Sequence, residues 1–176
     1  MNQTADGMQH ATAATPPPDP DQREAKQREA DSVRARQRWM AVLARASREE
    51  LETILGMLPP QPAWQWLRRP ETGLAMLQGR AGGSGERFNL GEASITRCTL
   101  RTAAARTGVA CVLGRDHRQA ELAALLDALL QGGESVRLER AIEELAASQS
   151  ARRELAARKT AATRVDFYTL VRGESA

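Results

Sequence analysis

The first hydrophobic stripe of the chain follows a long polar stretch. Residues 1–20 are small, polar and rich in proline, and the helix-forming sequence that starts at Asp21 has few apolar side chains before Val33. A cluster of apolar residues then follows: Trp39, Met40, Val42 and Leu43. The pattern predicts a disordered or partly helical tail over residues 1–30. It also predicts a helix whose second half docks on a core or on a partner.

A second helix is indicated by the segment SREELETIL. Ser47 and Glu50 have the spacing of a capping box, in which a hydroxyl and a carboxylate satisfy free N–H groups at a helix start. We expect a helix from about Arg48 to Met57. It should end before Pro59 and Pro60, because proline cannot continue a helix.

Four consecutive segments then have the alternation that is typical of β-strands. PAWQWLRR places Trp64 and Trp66 on one face, and ETGLAMLQGRA does the same with Leu74 and Met76. EASITRCTLRT and GVACVLGRD complete the set. Nothing between these segments is long enough to be a crossover helix, so the four strands should form an antiparallel sheet.

Helical periodicity returns after the last of these segments. DHRQAELAALLDALLQ has Asp116 as its cap, Gln119 at the capping-box position and a broad apolar face, so we expect it to cover the sheet. SVRLERAIEELAASQSARRELAARKTAA indicates one or two amphipathic helices. TRVDFYTLVRG is β-branched and aromatic, which predicts an extended C-terminal arm over residues 163–173.

The order of these elements predicts an α+β fold. An antiparallel four-stranded sheet is packed by N-terminal and C-terminal helices, and residues 31–176 form one domain with its extended arm. The length of 176 residues and the hydrophobic fraction of 41% suit a single core of ordinary size. Aromatic residues make up only 3%, so Trp64 and Trp66 are either core residues or anchors of an interface, with neither alternative favoured.

Charge and hydropathy exclude several classes of function. A net charge of +3 is too small to predict nucleic-acid binding, and no apolar run approaches the ~18 residues that cross a membrane. The N-terminal segment lacks the basic start and apolar stretch of a secretory signal. Cys98 and Cys111 form no CxxC pair and fall in predicted strands, which indicates structural thiols. We therefore expect a soluble, cytoplasmic protein.

Candidates for catalysis or metal binding are weak. His117 is the one histidine inside the predicted fold, so zinc spacing is absent, and the residue is expected at the surface of a helix start. A nucleophilic pair of His117 with Cys98 or Cys111 is less favoured than a buried thiol. Glu143 and Glu144 fit a solvated helix face. We expect no catalytic residue, no metal and no bound cofactor in this chain.

The glycine-rich stretch RAGGSGERFNLGE, from Arg80 to Glu92, permits two interpretations. Its backbone N–H groups could cradle a phosphate, with Arg80 and Arg87 adding contacts. However, the stretch lacks the lysine of a Walker loop and precedes an extended segment rather than a helix. A turn between two strands is favoured, and Glu86 and Arg87 are then displayed towards a neighbouring subunit.

Other arginines have the same ambiguity between surface charge and contact residue. Arg115 follows Gly114, which allows a turn, and has no structural role of its own. In the C-terminal arm, charges alternate with apolar residues, which fits either a solvated edge strand or a strand lying on another subunit. The candidate residues for an interface or a phosphate contact are Arg80, Glu86, Arg87, Arg115, Arg164 and Arg172.

Several separated motifs together resemble one family. RQRWMAVLARA, ETGLAMLQGRAGGSGERFNLGEASITR, GRDHRQAELAALLDALLQ and TRVDFYTLVRG occur in the order seen in PhnG, a small subunit of the bacterial carbon–phosphorus lyase core complex. The resemblance covers about Val33 to Leu130 and again Thr163 to Gly173, while the tail to about Ala30 lies outside it. Several motifs in the right order are more specific than any single glycine pattern.

The resemblance implies a place in phosphonate catabolism. It implies an accessory, non-catalytic subunit of a complex that transfers ribose triphosphate from ATP to methylphosphonate and releases adenine. The implied partners are PhnH, PhnI and PhnJ with the ABC-type subunits PhnK and PhnL, in a hetero-oligomer in which ATP is a substrate. Two alternatives remain: a subunit whose arginines bind phosphate in the active site, and a free-standing anion- or nucleotide-binding module.

Overall fold

The computed structural model describes residues 20–60, 62–132 and 136–163. Its helices are α1 (Pro20–Leu43), α2 (Arg48–Gly56), α3 (His117–Leu130) and α4 (Val136–Ala162). Its strands are β1 (Trp64–Arg80), β2 (Arg87–Thr102) and β3 (Thr107–Leu113). The α+β class is confirmed. The predictions for residues 1–19 and for the arm from residue 164, with Arg164 and Arg172, lie outside the described residues.

The chain divides into two units, of which the first ends at Ala35 and the second begins at Arg36. Within the first unit, the described residues are the first two-thirds of α1. This part is almost wholly exposed and has pairs along its own surface, such as Arg28 Nη2 to Glu24 Oε2 at 3.1 Å. Such exposed pairs add little stability.

Helix starts follow the predicted caps. The Ser47 hydroxyl accepts from the Glu50 N–H at 3.2 Å, and the Glu50 carboxylate accepts from the Ser47 N–H at 2.9 Å, so the capping box of α2 is confirmed. Asp116 caps α3 by accepting from the Gln119 N–H at 3.0 Å. The Gln119 side chain does not close a second capping box, because it donates to the Ala46 carbonyl instead.

The prediction of four strands is wrong. The described residues contain one three-stranded antiparallel sheet in the order β1-β2-β3, because the segments predicted as two strands form the single 17-residue β1. The pairing register shifts between Trp66 and Arg68 and between Arg68 and Glu71, which absorbs the extra residues without a turn. Pro70 lacks an N–H donor and is tolerated because β1 is an edge strand with a neighbour on one side.

One face of the sheet carries the core. Thr96, Cys98 and Leu100 of β2 are buried, and α3 lies against them with nine buried residues of its own. The rings of Trp64 and Trp66 meet edge to face, with centroids 4.5 Å apart, and are half-buried against this core. Packing therefore accounts for the two tryptophans.

The hairpin of β1 and β2 extends beyond the rest of the sheet. The last residue of β3, Leu113, pairs with Ile95. Beyond that point, Leu74–Arg80 pairs with Arg87–Ser94 alone, and we call this two-stranded part the ribbon. Its large apolar side chains are exposed: Leu74, Met76, Leu77, Phe88 and Leu90.

Candidate functional site

The tip of the ribbon is a closed hairpin turn. The backbone N–H groups of Ser84 and Gly85 both donate to the Ala81 carbonyl oxygen, Gly85 at 2.8 Å. Gly82 has a φ of 58°, and a Cβ added at Gly85 would lie 2.6 Å from the same oxygen. The geometry of the turn therefore explains why both positions are glycine. Two amides that a phosphate loop would need are already bonded within the turn.

The charged residues at the tip stand on neighbouring strand ends. Arg80 and Arg87 face each other in the strand register, and Glu86 lies just before β2. All three are exposed. Arg80 Nη1 donates to the Gly85 carbonyl oxygen at 3.2 Å, which binds this arginine to its own loop. The tip thus displays two positive charges and one negative charge.

Arg115 belongs to the base of the ribbon, not to its tip. Its Nε donates to Ser94 Oγ at 3.3 Å, just after Gly114, whose φ of 98° turns the chain from β3 towards α3. Ser94 and Arg87 lie at opposite ends of the ribbon, about 20 Å apart at the rise of an extended strand. The structure therefore does not bring Arg115 together with Arg80 and Arg87 in one phosphate site.

A chain of hydrogen bonds joins α3 to the sheet at the base of the ribbon. Thr96 Oγ1 donates to the Gly114 carbonyl oxygen at 2.9 Å, so it accepts from Thr72 Oγ1, which is 3.0 Å away. The hydroxyl proton of Thr72 is then used, and its 3.0 Å contact with His117 needs a proton on Nε2 of the ring. The residues that orient His117 could not be found from sequence, because Thr72 lies 45 positions away.

A second polar network, also missed by sequence reasoning, is buried between α1 and α3. The Asp127 carboxylate, which is 0% exposed, accepts from Arg36 Nη2 at 2.7 Å, from Trp39 Nε1 at 2.9 Å and from the Val109 N–H at 3.0 Å. The hydrogen bond to Asp127 is the main cause of the raised pKa of Arg36. The sequence contained one signal for this buried network, which is the acidic residue inside the apolar run LAALLDALL.

The two cysteines have different environments. Cys98 is buried and donates its S–H to the Ala120 carbonyl oxygen at 3.0 Å, and burial raises its pKa to about 12. A thiol with that pKa is no nucleophile near neutral pH. Cys111 is exposed. No cluster of three or more metal-ligating side chains occurs in the described parts of the chain.

Alkylation should distinguish the two thiols. In the native chain at pH 8, iodoacetamide is expected to modify Cys111 within minutes, while Cys98 stays unmodified because its thiolate is scarce and its sulfur is buried. In denaturant both thiols should react. Peptide mass spectrometry measures the ratio of modified Cys111 to modified Cys98. Cys111→Ser is the control that removes the native signal. Equal native rates would contradict the buried, protonated state of Cys98.

Comparison with known proteins identifies the family of this chain. The family model described as "Phosphonate metabolism protein PhnG" matches residues 34–173, which include the whole sheet, the ribbon and its tip. The chain belongs to the PhnG family. A PhnG relative from Rhizobium meliloti (strain 1021) is 43% identical over 143 residues, which is 81% of this chain and 92% of the relative. That relative is named "Alpha-D-ribose 1-methylphosphonate 5-triphosphate synthase subunit PhnG". The resemblance inferred from the separated motifs is confirmed.

Most of the features described above lie within the range that the PhnG family model matches. Arg36, Asp127 and the residues of the ribbon fall inside the matched range, while the exposed start of α1 falls before it. Across the described helices, none combines the length and hydropathy needed to cross a membrane.

Proposed function

We propose that this chain is an accessory subunit of alpha-D-ribose 1-methylphosphonate 5-triphosphate synthase in phosphonate catabolism. The main support for this proposal is the 43% identity to a relative of that name over 92% of the relative's length. The family match over residues 34–173 also includes the ribbon.

The proposed reaction of the complex transfers ribose triphosphate from ATP to methylphosphonate and displaces adenine. In this proposal the chain supplies no catalytic group and no cofactor site of its own, and ATP is a substrate of the complex. This part of the proposal is supported by the reactive side chains of the described residues, which have structural roles. Cys98 is protonated and buried, Asp127 is saturated with donors, and Asp116 caps α3 and pairs with Arg48.

The proposed partners are PhnH, PhnI, PhnJ, PhnK and PhnL, in a cytoplasmic hetero-oligomer without nucleic acid. The exposed apolar side chains of the ribbon support a role in assembly, because a soluble monomer rarely exposes such a patch without a function. We assign Arg80, Glu86 and Arg87 to contacts at the ribbon tip. Arg115 at the base and Arg164 and Arg172 in the arm are assigned as further contacts.

Co-purification tests the assignment. The tagged chain is co-expressed with PhnH, PhnI and PhnJ, and the eluate is analysed by size exclusion and assayed for adenine release from ATP and methylphosphonate. We expect one complex at micromolar concentration, and an otherwise identical preparation without this chain should lose assembly and activity. Elution of the chain apart from all the others would contradict the proposal. A matched control is Glu144→Ala on the exposed surface of α4, which should assemble normally.

A further inference from the structure

The first half of the free edge of β3 is covered by side chains of its own subunit. The Thr107 carbonyl oxygen accepts from Arg36 Nη2 at 3.2 Å and from Gln131 Nε2 at 2.8 Å. The next outward group, the Val109 N–H, donates to Asp127 Oδ2 at 3.0 Å. Covering an edge in this way prevents pairing with another strand.

The first half of the β1 edge is blocked by different means. Register shifts interrupt the strand on both sides of Arg68, and Pro70 removes a backbone donor. Arg68 and Arg69 add two exposed charges there. Irregular geometry, proline and charge are the devices by which natural edge strands avoid pairing.

The second half of the β1 edge has none of these protections. Residues 72–78, TGLAMLQ, contain no charge and no proline, and their ladder to β2 is regular as far as Leu77. On the side away from β2, the described residues offer this stretch no backbone hydrogen bond. Leu74, Met76 and Leu77 are 63%, 53% and 42% exposed. The stretch therefore has both the free backbone and the apolar side chains of a strand-addition site.

Within the described residues, the ribbon also has too few neighbours to be stable in isolation. Two strands without a third strand or a covering helix are marginally stable in water. The Phe88 ring lies on Gly79, which supplies one local contact across the strands, but the larger apolar surface faces solvent. A third strand beside β1 would complete the sheet where β3 no longer reaches.

We propose that residues 72–78 of β1 bind an extended segment of a partner subunit by β-strand addition. This inference rests on the proposed function, since it names the surface by which the subunit joins its complex. The bound segment has about six residues with apolar side chains at alternate positions. It has an acidic residue at the end beside Arg80 and Arg87.

Charge argues against a second copy of this chain as the occupant. Symmetric antiparallel pairing centred on Leu74 places Arg80 of each copy opposite Arg68 of the other, and pairing centred on Ala75 places Arg80 opposite Pro70, next to Arg69. Like charges facing each other across strands are destabilising. A segment of another protein that brings an acidic residue to Arg80 has no such penalty.

Paired lysine substitutions test the site in the assembled complex. Leu74→Lys with Met76→Lys places two charges on the exposed edge, and the matched control Val136→Lys with Leu155→Lys makes the same change at exposed positions of α4. We expect the edge variant to bind the purified partner subunits about 30-fold more weakly or worse, and the control to bind within about 3-fold of the wild type. Urea unfolding of the isolated chains should be unchanged in both.

Hydrogen exchange identifies the occupant. In residues 72–78, the amides that point away from β2 should exchange at least about 10-fold more slowly in the complex than in the isolated chain. If these outward amides are already protected in the isolated chain, the inference is overturned. Protection that disappears on truncation after Thr163 identifies the chain's own C-terminal segment as the occupant. Protection that depends on protein concentration identifies a second copy of the chain. If a complex forms without added protection, this inference fails and the proposed function stands. If wild type forms no complex, both fail.

Discussion

Replacing Asp127 with alanine is expected to lower the free energy of unfolding by about 3–5 kcal/mol. Its carboxylate is fully buried and accepts from Arg36, Trp39 and the Val109 N–H. Alanine would leave the indole and the backbone donor without partners and the guanidinium without its counter-charge. Each unsatisfied buried donor costs about 1–3 kcal/mol. Because these groups lie on three elements, docking of α1 on β3 and α3 should weaken with the same substitution.

Urea denaturation followed by circular dichroism measures this effect. Glu144→Ala is the control, because Glu144 pairs with Arg140 on an exposed helix surface and should change stability by less than about 0.5 kcal/mol. Asp127→Asn should have an intermediate effect, since one oxygen still accepts while the new amide N–H groups face other donors. A loss below about 1 kcal/mol for Asp127→Ala would show that the network does not hold α1 in place.

Replacing Gly108 with alanine is expected to cost about 3 kcal/mol, the second large effect. A Cβ at this position would overlap the Ala124 carbonyl oxygen and lie 3.0 Å from the Ala128 Cβ. The backbone of α3 therefore passes directly over β3 at Gly108, and neither element can move away without losing core contacts. The added methyl group should separate the helix from the sheet.

Gly56→Ala is the matched control for the same chemical change. No atom lies within 4 Å of a Cβ added there, at the end of α2. Alanine also has less conformational freedom than glycine in the unfolded chain, so this variant should be neutral or more stable by up to about 1 kcal/mol. Thermal unfolding of the two variants side by side provides the comparison. Similar melting temperatures would contradict the close approach of α3 to Gly108.

Local patterns predicted the elements that local physics controls. The capping box at Ser47 and Glu50 and the cap at Asp116 needed only side chains three residues apart. The glycine-rich connection was predicted as a turn because it lacks a Walker lysine and precedes an extended segment, and in the structure Gly82 and Gly85 meet needs that arise within the turn. The same reasoning failed around Pro70, because PAWQWLRR and ETGLAMLQGRA on its two sides were predicted as separate strands. An edge strand with a register shift tolerates proline, and edge position is a property of the sheet.

The candidate site was only partly accessible to sequence reasoning. Arg80 and Arg87 of the glycine-rich stretch are exposed in the structure, and their separation from Arg115 depends on how far the ribbon extends past β3. The open edge at residues 72–78 was not predicted, since its sequence looks like that of any half-buried strand. What distinguishes it is that no other part of the described chain pairs with its outer edge.

The amino-acid sequence by itself determined the α+β class, the helix starts, the hairpin turn and the family, because these depend on periodicity, caps and ordered motifs. Only the tertiary structure decided that the described sheet has three strands, that Asp127 holds α1 to β3, and that no described segment pairs with the outer edge of residues 72–78. The physical reason is that burial, charge pairing and strand adjacency arise between residues distant in the chain, and local patterns do not record which distant residues meet.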